Sequence, residues 1–167
     1  MSNFQRSGET WILSGELDQP TCADILKARY ETDPTKPVLF LLDSPGGLAH
    51  FTLGLLKELY PIQQLECRAV GHLASAGVHL LQAGTKRTCY HHTLFFLHSL
   101  QADEPVTGAT VQSFAEQFAR DSDSWVDVLA KRTKKKRRDW WLKFLSADQW
   151  LPSTEALKLG LVDEILD

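Results

Sequence analysis

The chain has 167 residues, of which 43% are apolar and 23% charged, and its formal net charge is −3. This size suits one globular domain with a sizeable core, and the near balance of charge argues against nucleic acid or an anionic membrane as partner. The three cysteines stand far apart and are odd in number, which argues against a disulfide framework and a Cys-x-x-Cys metal site.

The N-terminal part alternates short apolar runs with segments of helical period. Residues 1–9 lack the apolar core of a signal peptide, and no later apolar run approaches the roughly 18–20 residues of a membrane span, so we expect a cytoplasmic protein. A strand at 11–13 precedes a helix at 20–30, whose Pro20 suits a first helical turn. Residues 38–42 are apolar on both faces, as expected of a strand covered by helices on either side.

The same alternation continues along the chain. The next predicted elements are a helix at 48–59, a strand at 67–70, a helix after Ser75 and a strand at 93–97. Near the end, a short helix at 153–159 is closed by Gly160 as C-cap and leads into a last strand. The repetition predicts an α/β domain with a largely parallel sheet.

A long amphipathic helix is predicted between residues 111 and 129, because bulky apolar residues recur there at spacings of three and four. Its aromatic residues Phe114, Phe118 and Trp125 would face either a neighbouring subunit or the core of the domain. The basic run that follows, residues 131–138, is interpreted as a solvated helix face or a connection, with a docking patch for an acidic partner as the alternative.

Chemistry-bearing residues stand at three strand ends, where α/β domains place their ligands. Residues 43–47 (Asp-Ser-Pro-Gly-Gly) allow a tight turn with exposed backbone N–H groups. In 71–77 (Gly-His-Leu-Ala-Ser-Ala-Gly), Ser75 has small neighbours at the start of a helix, where N–H groups can stabilise an oxyanion. His98 ends an apolar strand. Taken one at a time, these three places also have ordinary structural interpretations: residues 43–47 as a turn, Ser75 as a helix N-cap and His98 as a hydrogen-bonded structural histidine.

Together these motifs resemble the ClpP family, the proteolytic subunits of Clp proteases, within the wider ClpP/crotonase fold. The family pattern of an aliphatic strand into Ser-Pro-Gly-Gly is matched at 41–47, and its Gly-x-x-Ala-Ser-x-Gly stretch at 71–77. His98 matches its histidine, and residues 150–163 match its C-terminal motif ending in Gly-Leu-Val-Asp. The resemblance implies a single ClpP-like peptidase domain over 1–167, with repeated β-α units and a protruding handle helix.

The resemblance also implies a catalytic triad. Ser75 would be the nucleophile, His98 the base that takes its proton, and Asp148 the acid that orients the imidazole. Backbone N–H groups of Gly47 and Ala76 would form the oxyanion hole. No metal or cofactor is expected from this chemistry.

Two other acids are poorer candidates for the third triad position. Asp139 lies outside any matched motif, and Asp163 belongs to the terminal Gly-Leu-Val-Asp, where a structural role is expected. Scattered histidines such as His91 and His92 do not have a spacing diagnostic of a metal site.

The expected active form is a homo-oligomer, a heptameric ring or stacked rings, that acts on peptides or unfolded proteins. Residues 99–104 stand where the family continues with Gln-Pro and a glycine-rich stretch. This departure leaves open whether an AAA+ unfoldase is a partner.

Three alternatives remain open at this stage. A catalytically silent ring subunit or scaffold would keep the fold without the reaction. A crotonase-type acyl-CoA enzyme would use the N–H groups of the glycine turn alone and would not need Ser75 and His98. A Ser–Lys peptidase with Lys86 or Lys143 as base would leave His98 unexplained.

Overall fold

The structure is a computed structural model, and it describes residues 2–101 and 111–167. Its strands are β1 (Phe4–Ser7), β2 (Thr10–Ser14), β3 (Pro37–Ser44), β4 (Gln64–Ala74), β5 (Lys86–Tyr90), β6 (Leu94–Leu97), β7 (Gln149–Pro152) and β8 (Glu164–Leu166). Its helices are α1 (Gln19–Tyr30), α2 (Ala49–Leu59), α3 (Ala76–Leu81), α4 (Val111–Arg132), α5 (Arg138–Phe144) and α6 (Ser153–Leu159).

The strands form one mixed sheet in the order β1-β2-β3-β4-β5-β8, with β6 pairing with β4 and β7 pairing with β6. The β1–β2 and β6–β7 pairs are antiparallel, whereas the other pairs are parallel. The predicted α/β architecture with a largely parallel sheet is therefore confirmed. Strands β1 and β7, which form the antiparallel pairs with β2 and β6, were not predicted from the sequence, and neither were β5 and α5.

Strand β4 organises the sheet because it has two partners along one edge. Its first half pairs with β5, with Ala69 opposite Cys89. Its second half pairs with β6, with Ala74 opposite Phe96. The predicted strand at 67–70 is thus only the middle of an 11-residue strand, and the C-terminal extension carries the chain to Ser75.

The main core lies against one face of the central strands. In β3, Val38, Phe40 and Leu42 are buried, whereas Leu39 and Leu41 are only partly buried. Strand β3, whose sequence is apolar on both faces, is therefore buried on one face and only partly buried on the other. Ring contacts between neighbouring strands support the closed face, with the Trp11 and Phe40 ring centroids 5.6 Å apart.

Helix α4 confirms the amphipathic segment, and its two halves differ. The C-terminal half buries Trp125 and Leu129 in the core. Residues 112–117 in the N-terminal half are exposed, and the Phe114 side chain there is 38% exposed. The helix therefore has a buried C-terminal half and an N-terminal half whose residues 112–117 are exposed, and its role as a handle stays a prediction.

The basic run 131–138 joins α4 to α5, and part of it is bound within the chain. The Arg132 guanidinium donates to the carbonyl oxygen of Gln82 at 2.9 Å. Arg138 forms ion pairs with Asp123 and Asp127, both at 2.7 Å. The remaining cations are exposed, so the interpretation as a solvated connection describes most of this run.

A buried cluster of hydrogen bonds ties the ends of several elements to β5. Arg87, which is 8% exposed, donates to a carboxylate oxygen of Asp163 at 3.0 Å and to Gln82 Oε1 at 2.6 Å. It also donates to the carbonyl oxygens of Arg132 and Gly160. Arg87 thereby links α3, α4 and α6, whose C-cap Gly160 has the predicted left-handed conformation.

The three cysteines Cys22, Cys67 and Cys89 are buried and form no disulfide. Burial raises the pKa of the Cys67 thiol to about 12 and those of the other two to about 11. Within the described part of the chain, no helix has the length and hydrophobicity that a bilayer span requires.

We predict that Asp163→Asn lowers the free energy of unfolding by about 2–3 kcal/mol at pH 7, because it leaves the buried Arg87 guanidinium without its counter-charge. Desolvation of Asp163 opposes ionisation, but the hydrogen bonds from Arg87 outweigh it and hold the carboxyl pKa below its ordinary value. This stabilisation is present above the unfolded-state pKa and is lost as the pH falls through the lowered folded-state pKa.

Urea unfolding at several pH values measures this effect. Asp139→Asn is the matched control, since its ion pair with Arg137 is exposed and should contribute little. Equal stability losses in the two variants would contradict a special role for Arg87.

We further predict that the native thiols react with a disulfide reagent at pH 8 far more slowly than those of the urea-unfolded chain. At a pKa of about 11, only about one thiol in a thousand is ionised at this pH, and burial also blocks access. Stopped-flow absorbance with dithionitrobenzoate compares the two states. Fast reaction of a native thiol would show that its site opens readily.

Candidate active site

Ser75 occupies a strained turn between β4 and α3. Its φ is 50° and its ψ is −120°, and it is the one non-glycine residue with positive φ among those described. Such a conformation costs about 1–3 kcal/mol and persists only where the surroundings impose it. Here, the Ser75 N–H donates to the carbonyl oxygen of Phe96 at 2.8 Å. The hydroxyl is left without a hydrogen-bond partner among the described residues, on a partly exposed side chain.

The turn between β3 and α2 packs directly against the Ser75 turn. Gly46 has a φ of +105°, and a Cβ at this position would lie 2.7 Å from the Ser75 Cβ and 3.1 Å from the Ala76 backbone nitrogen. Gly47 has a φ of +141°, and its Cβ would lie 2.5 Å from the carbonyl oxygen of Leu17. Glycine is required at both positions by conformation and by space.

Two backbone N–H groups beside this contact have no acceptor in the part of the chain that the structure describes. Ala76 is the first residue of α3, where the N–H has no acceptor within the helix. The N–H of Gly47 makes no hydrogen bond to another described residue. Such N–H groups can donate hydrogen bonds to an oxygen atom that develops negative charge during a reaction.

His98 directly follows β6, the strand that supplies the acceptor for Ser75. Its ring contacts Phe96, with centroids 5.4 Å apart, and its Nδ1 lies 2.6 Å from the carbonyl oxygen of Ser99. A carbonyl oxygen can only accept, so Nδ1 is the donor in this contact, and a neutral ring then carries its lone pair on Nε2. That tautomer is the one that can act as a base.

Ser75, His98 and Gly47 line one cavity of about 210 Å³. The N-terminal turns of α2 contribute Ala49, His50 and Leu53, and the segment after β6 contributes Leu100 and Gln101. Helix α4 contributes Phe114, Phe118, Asp121 and Trp125. The cavity thus joins a serine hydroxyl and an imidazole to a pocket with both polar and apolar walls.

Asp148 is exposed, lies just before β7 and does not line this cavity. Strands β6 and β7 are antiparallel with Leu97 opposite Gln149, so one further step of this register sets Asp148 across from His98. Hydrogen bonds from His98 to Asp148 or to Ser75 are absent, although all three residues are described. The structure therefore brings Ser75, His98 and Gly47 together and leaves Asp148 at the neighbouring strand end.

His79 was not recognised from the sequence. It is fully buried four residues after Ser75, with Nδ1 3.2 Å from the Ser75 carbonyl oxygen and Nε2 3.2 Å from that of Trp125. Its ring stacks on Trp125 with centroids 3.3 Å apart. Burial lowers the His79 pKa to about 3, whereas its contacts with the two carbonyl oxygens act in the opposite direction. The ring packs α3 against α4. His79 stands four residues after Ser75, about one helical turn, and this spacing is the sequence feature that could have identified it.

The described residues do not contain a group of three or more His, Cys, Asp or Glu side chains placed to hold a metal ion. The groups that can do chemistry in the cavity are therefore the hydroxyl, the imidazoles of His98 and His50, and the carboxylate of Asp121.

The chain is similar to proteolytic subunits of Clp proteases. Among curated proteins, the chain is 29% identical to ATP-dependent Clp protease proteolytic subunit 1 of Corynebacterium jeikeium over 90% of its own length and 81% of that protein. It is 30% identical to proteolytic subunit 2 of Nocardia farcinica over 90% of its length and 75% of that protein. It is 27% identical to proteolytic subunit 1 of Chlamydia pneumoniae over 80% of its length and 72% of that protein.

These relatives are named as proteolytic subunits of Clp proteases, which are serine-type peptidases, so the predicted resemblance and enzyme class are confirmed at the level of the family. The mixed sheet with six described helices is consistent with the fold of that family. The family model for Clp protease matches residues 12–167, and the chain therefore belongs to the Clp protease family.

Proposed function

We propose that this protein is a serine peptidase that hydrolyses peptide bonds in peptides or unfolded proteins, with Ser75, His98 and Asp148 as its triad. The observation that carries the proposal is the strained Ser75 turn opening into the same cavity as His98 and Gly47. Membership of the Clp protease family supports the reaction class. The proposal treats residues 1–167 as one peptidase domain acting in the cytoplasm.

In the first step, the Ser75 oxygen bonds to the substrate carbonyl carbon while His98 Nε2 takes the hydroxyl proton. Nδ1 keeps its proton throughout this transfer, and in the structure it donates to the Ser99 carbonyl. His98 then gives the proton to the departing amine, and the carbon–nitrogen bond breaks. Water, deprotonated by the same imidazole, hydrolyses the acyl-enzyme and restores Ser75.

The oxyanion of the tetrahedral intermediate is held by the N–H groups of Gly47 and Ala76. Both groups are free to donate, and the close approach at Gly46 keeps the two turns together. Because the donors belong to backbone in fixed turns, they need little reorganisation when charge develops. One such donor typically contributes on the order of 10²–10³ in rate.

Asp148 enters the proposed mechanism by a rotation of His98. When the imidazole leaves the Ser99 carbonyl, the register of β6 and β7 makes Asp148 the nearest strand-end carboxylate. A carboxylate stabilises the imidazolium better than a neutral carbonyl does, because it carries the opposite charge. In the proposed active state, the Nδ1–H of His98 therefore donates to the Asp148 carboxylate and no longer to the Ser99 carbonyl.

The proposed particle is a ring of identical subunits, as a heptamer or as stacked rings. The exposed N-terminal half of α4, with Phe114 at its surface, is suited to contact a second copy. A ring would enclose the cavity and admit only extended chains. The proposal does not include an AAA+ unfoldase, because residues 99–104 depart from the family pattern; "ATP-dependent" in the relatives' names describes those proteins.

A second candidate is a catalytically silent ring subunit. The specific observation in its favour is that the three proposed triad residues are not joined by hydrogen bonds. Labelling with a fluorophosphonate probe, described next, separates the active peptidase from the silent subunit.

We predict that a fluorophosphonate probe labels the intact protein and that Ser75→Ala abolishes labelling, because only an activated serine attacks the phosphorus atom. Intact-protein mass spectrometry measures the added mass. Ser146→Ala is the matched control, since its exposed hydroxyl bonds only to the Lys143 carbonyl.

His98→Ala should also suppress labelling, whereas Lys86→Ala should not, because Lys86 is paired with Glu164 away from the cavity. Absence of labelling in the unmodified protein, in every assembly state tested, would favour the silent subunit. Labelling that survives in His98→Ala and is lost in Lys86→Ala would favour a Ser–Lys mechanism.

We also predict that Asp148→Asn lowers kcat for a fluorogenic peptide by about 10²–10⁴-fold with little change in KM, since the imidazolium loses its counter-charge in the transition state. Asp139→Asn, an exposed acid paired with Arg137, serves as control and should retain full activity. Unchanged kcat in Asp148→Asn would remove this residue from the triad and leave Ser99 as the group that orients His98.

A further inference from the structure

We propose that the cavity beside Ser75 binds a cationic substrate side chain, lysine or arginine, and that Asp121 on α4 selects it. The side chain concerned belongs to the residue whose carbonyl carbon Ser75 attacks, here called the acyl-side residue. This inference rests on the proposed peptidase function, because it names the substrate class of the same cavity.

Helix α4 turns one stripe of side chains toward the cavity. Phe114, Phe118, Asp121 and Trp125 follow each other at spacings of four, three and four, which places them on one helix face. Asp121 is therefore a carboxylate set between aromatic neighbours. Leu53 of α2 also lines the cavity, which therefore has apolar as well as polar walls.

The carboxylate of Asp121 differs from its neighbours on α4 in having no ion pair with any described residue. Asp123 and Asp127 form ion pairs with Arg138, and Asp127 also pairs with Lys131. Asp121 is partly buried, and its one hydrogen bond among the described residues comes from the Gln117 side-chain amide to Oδ1, at 2.9 Å. Oδ2 remains available to a ligand.

Lysine and arginine are absent from the described residues that line the cavity. Its other ionisable groups are His98, which the reaction uses, and His50 on α2. A ligand that fills this cavity desolvates the Asp121 carboxylate, and a desolvated carboxylate needs a charged or donating partner. An incoming cation would supply it.

Lysine and arginine suit both parts of the cavity, since they carry an apolar stem below a charged head. The stem would pack against Leu53 and Phe118 while the head pairs with Asp121. A norleucine side chain of similar shape would fill the same space and leave the carboxylate unpartnered, and a glutamate would add repulsion. A site built around a buried polar group rejects the analogue that lacks the matching group.

The test uses acetyl-Ala-Ala-X-aminomethylcoumarin peptides in which X is lysine, norleucine or glutamate. We expect kcat/KM for the lysine peptide to exceed that for the norleucine peptide by about 10- to 100-fold, since a hydrogen bond to a charged group contributes that much. In Asp121→Asn this ratio should fall to near one, and Asp121→Glu should restore most of it. Asp121→Lys should reverse the preference toward glutamate.

Asp123→Asn is the matched control, because this acid lies on the same helix but outside the cavity, and its ratio should stay at the unmodified value. Equal rates for lysine and norleucine peptides, or a ratio that Asp121→Asn leaves unchanged, would overturn the proposal. Comparing two substrates within each variant removes any effect on folding or on the triad.

Calorimetry of product peptides with Ser75→Ala separates this inference from the peptidase proposal. We expect acetyl-Ala-Ala-Lys to bind more tightly than the norleucine peptide, and Asp121→Asn to remove this difference. This result supports the subsite even if no hydrolysis is observed. Absence of hydrolysis would then contradict the peptidase proposal alone. Hydrolysis of all peptides without preference contradicts only the subsite. Equal binding of both product peptides also overturns it.

Discussion

The pairing of the second half of β4 with β6 is the interaction on which the candidate site depends. It supplies the carbonyl of Phe96 that accepts the Ser75 N–H and so holds the serine in a conformation that an isolated chain would avoid. The same strand ends at His98. One pairing therefore fixes the nucleophile and presents the base, and β7 extends it by bringing Asp148 to the adjacent strand end.

Close packing of backbone against backbone makes this arrangement rigid. Gly46 lies against Ser75, and Gly47 lies against the carbonyl of Leu17, so neither turn can shift without the other. At the C-terminal end of α3, Arg87 joins this helix to the ends of α4 and α6 through charged hydrogen bonds. The strained turn at the start of α3 is held by the Phe96 carbonyl and by the contact with Gly46, as a conformation costing about 1–3 kcal/mol requires.

Helix α4 has two roles that its amphipathic pattern does not separate. Its packed half carries Trp125, which stacks on His79 one turn beyond Ser75 and so couples the helix to the nucleophile. Its N-terminal half carries Phe114, which is 38% exposed and also lines the cavity. A contact made by this half with another subunit would consequently act on the cavity wall itself. The cavity wall and the proposed assembly surface are parts of one element.

Local patterns were enough to predict the α/β class, the positions of Ser75 and His98 after strands, and the left-handed Gly160, because strand and helix periods and glycine turns are properties of neighbouring residues. The polar strand β5 was missed because it has little strand-like alternation. Only the tertiary structure showed that Asp121, far along the chain, lines the same cavity as Ser75, and that His98 rests on Ser99 with Asp148 outside the cavity. Such contacts depend on how strands pair and how helices pack over long sequence separations, which no local period encodes.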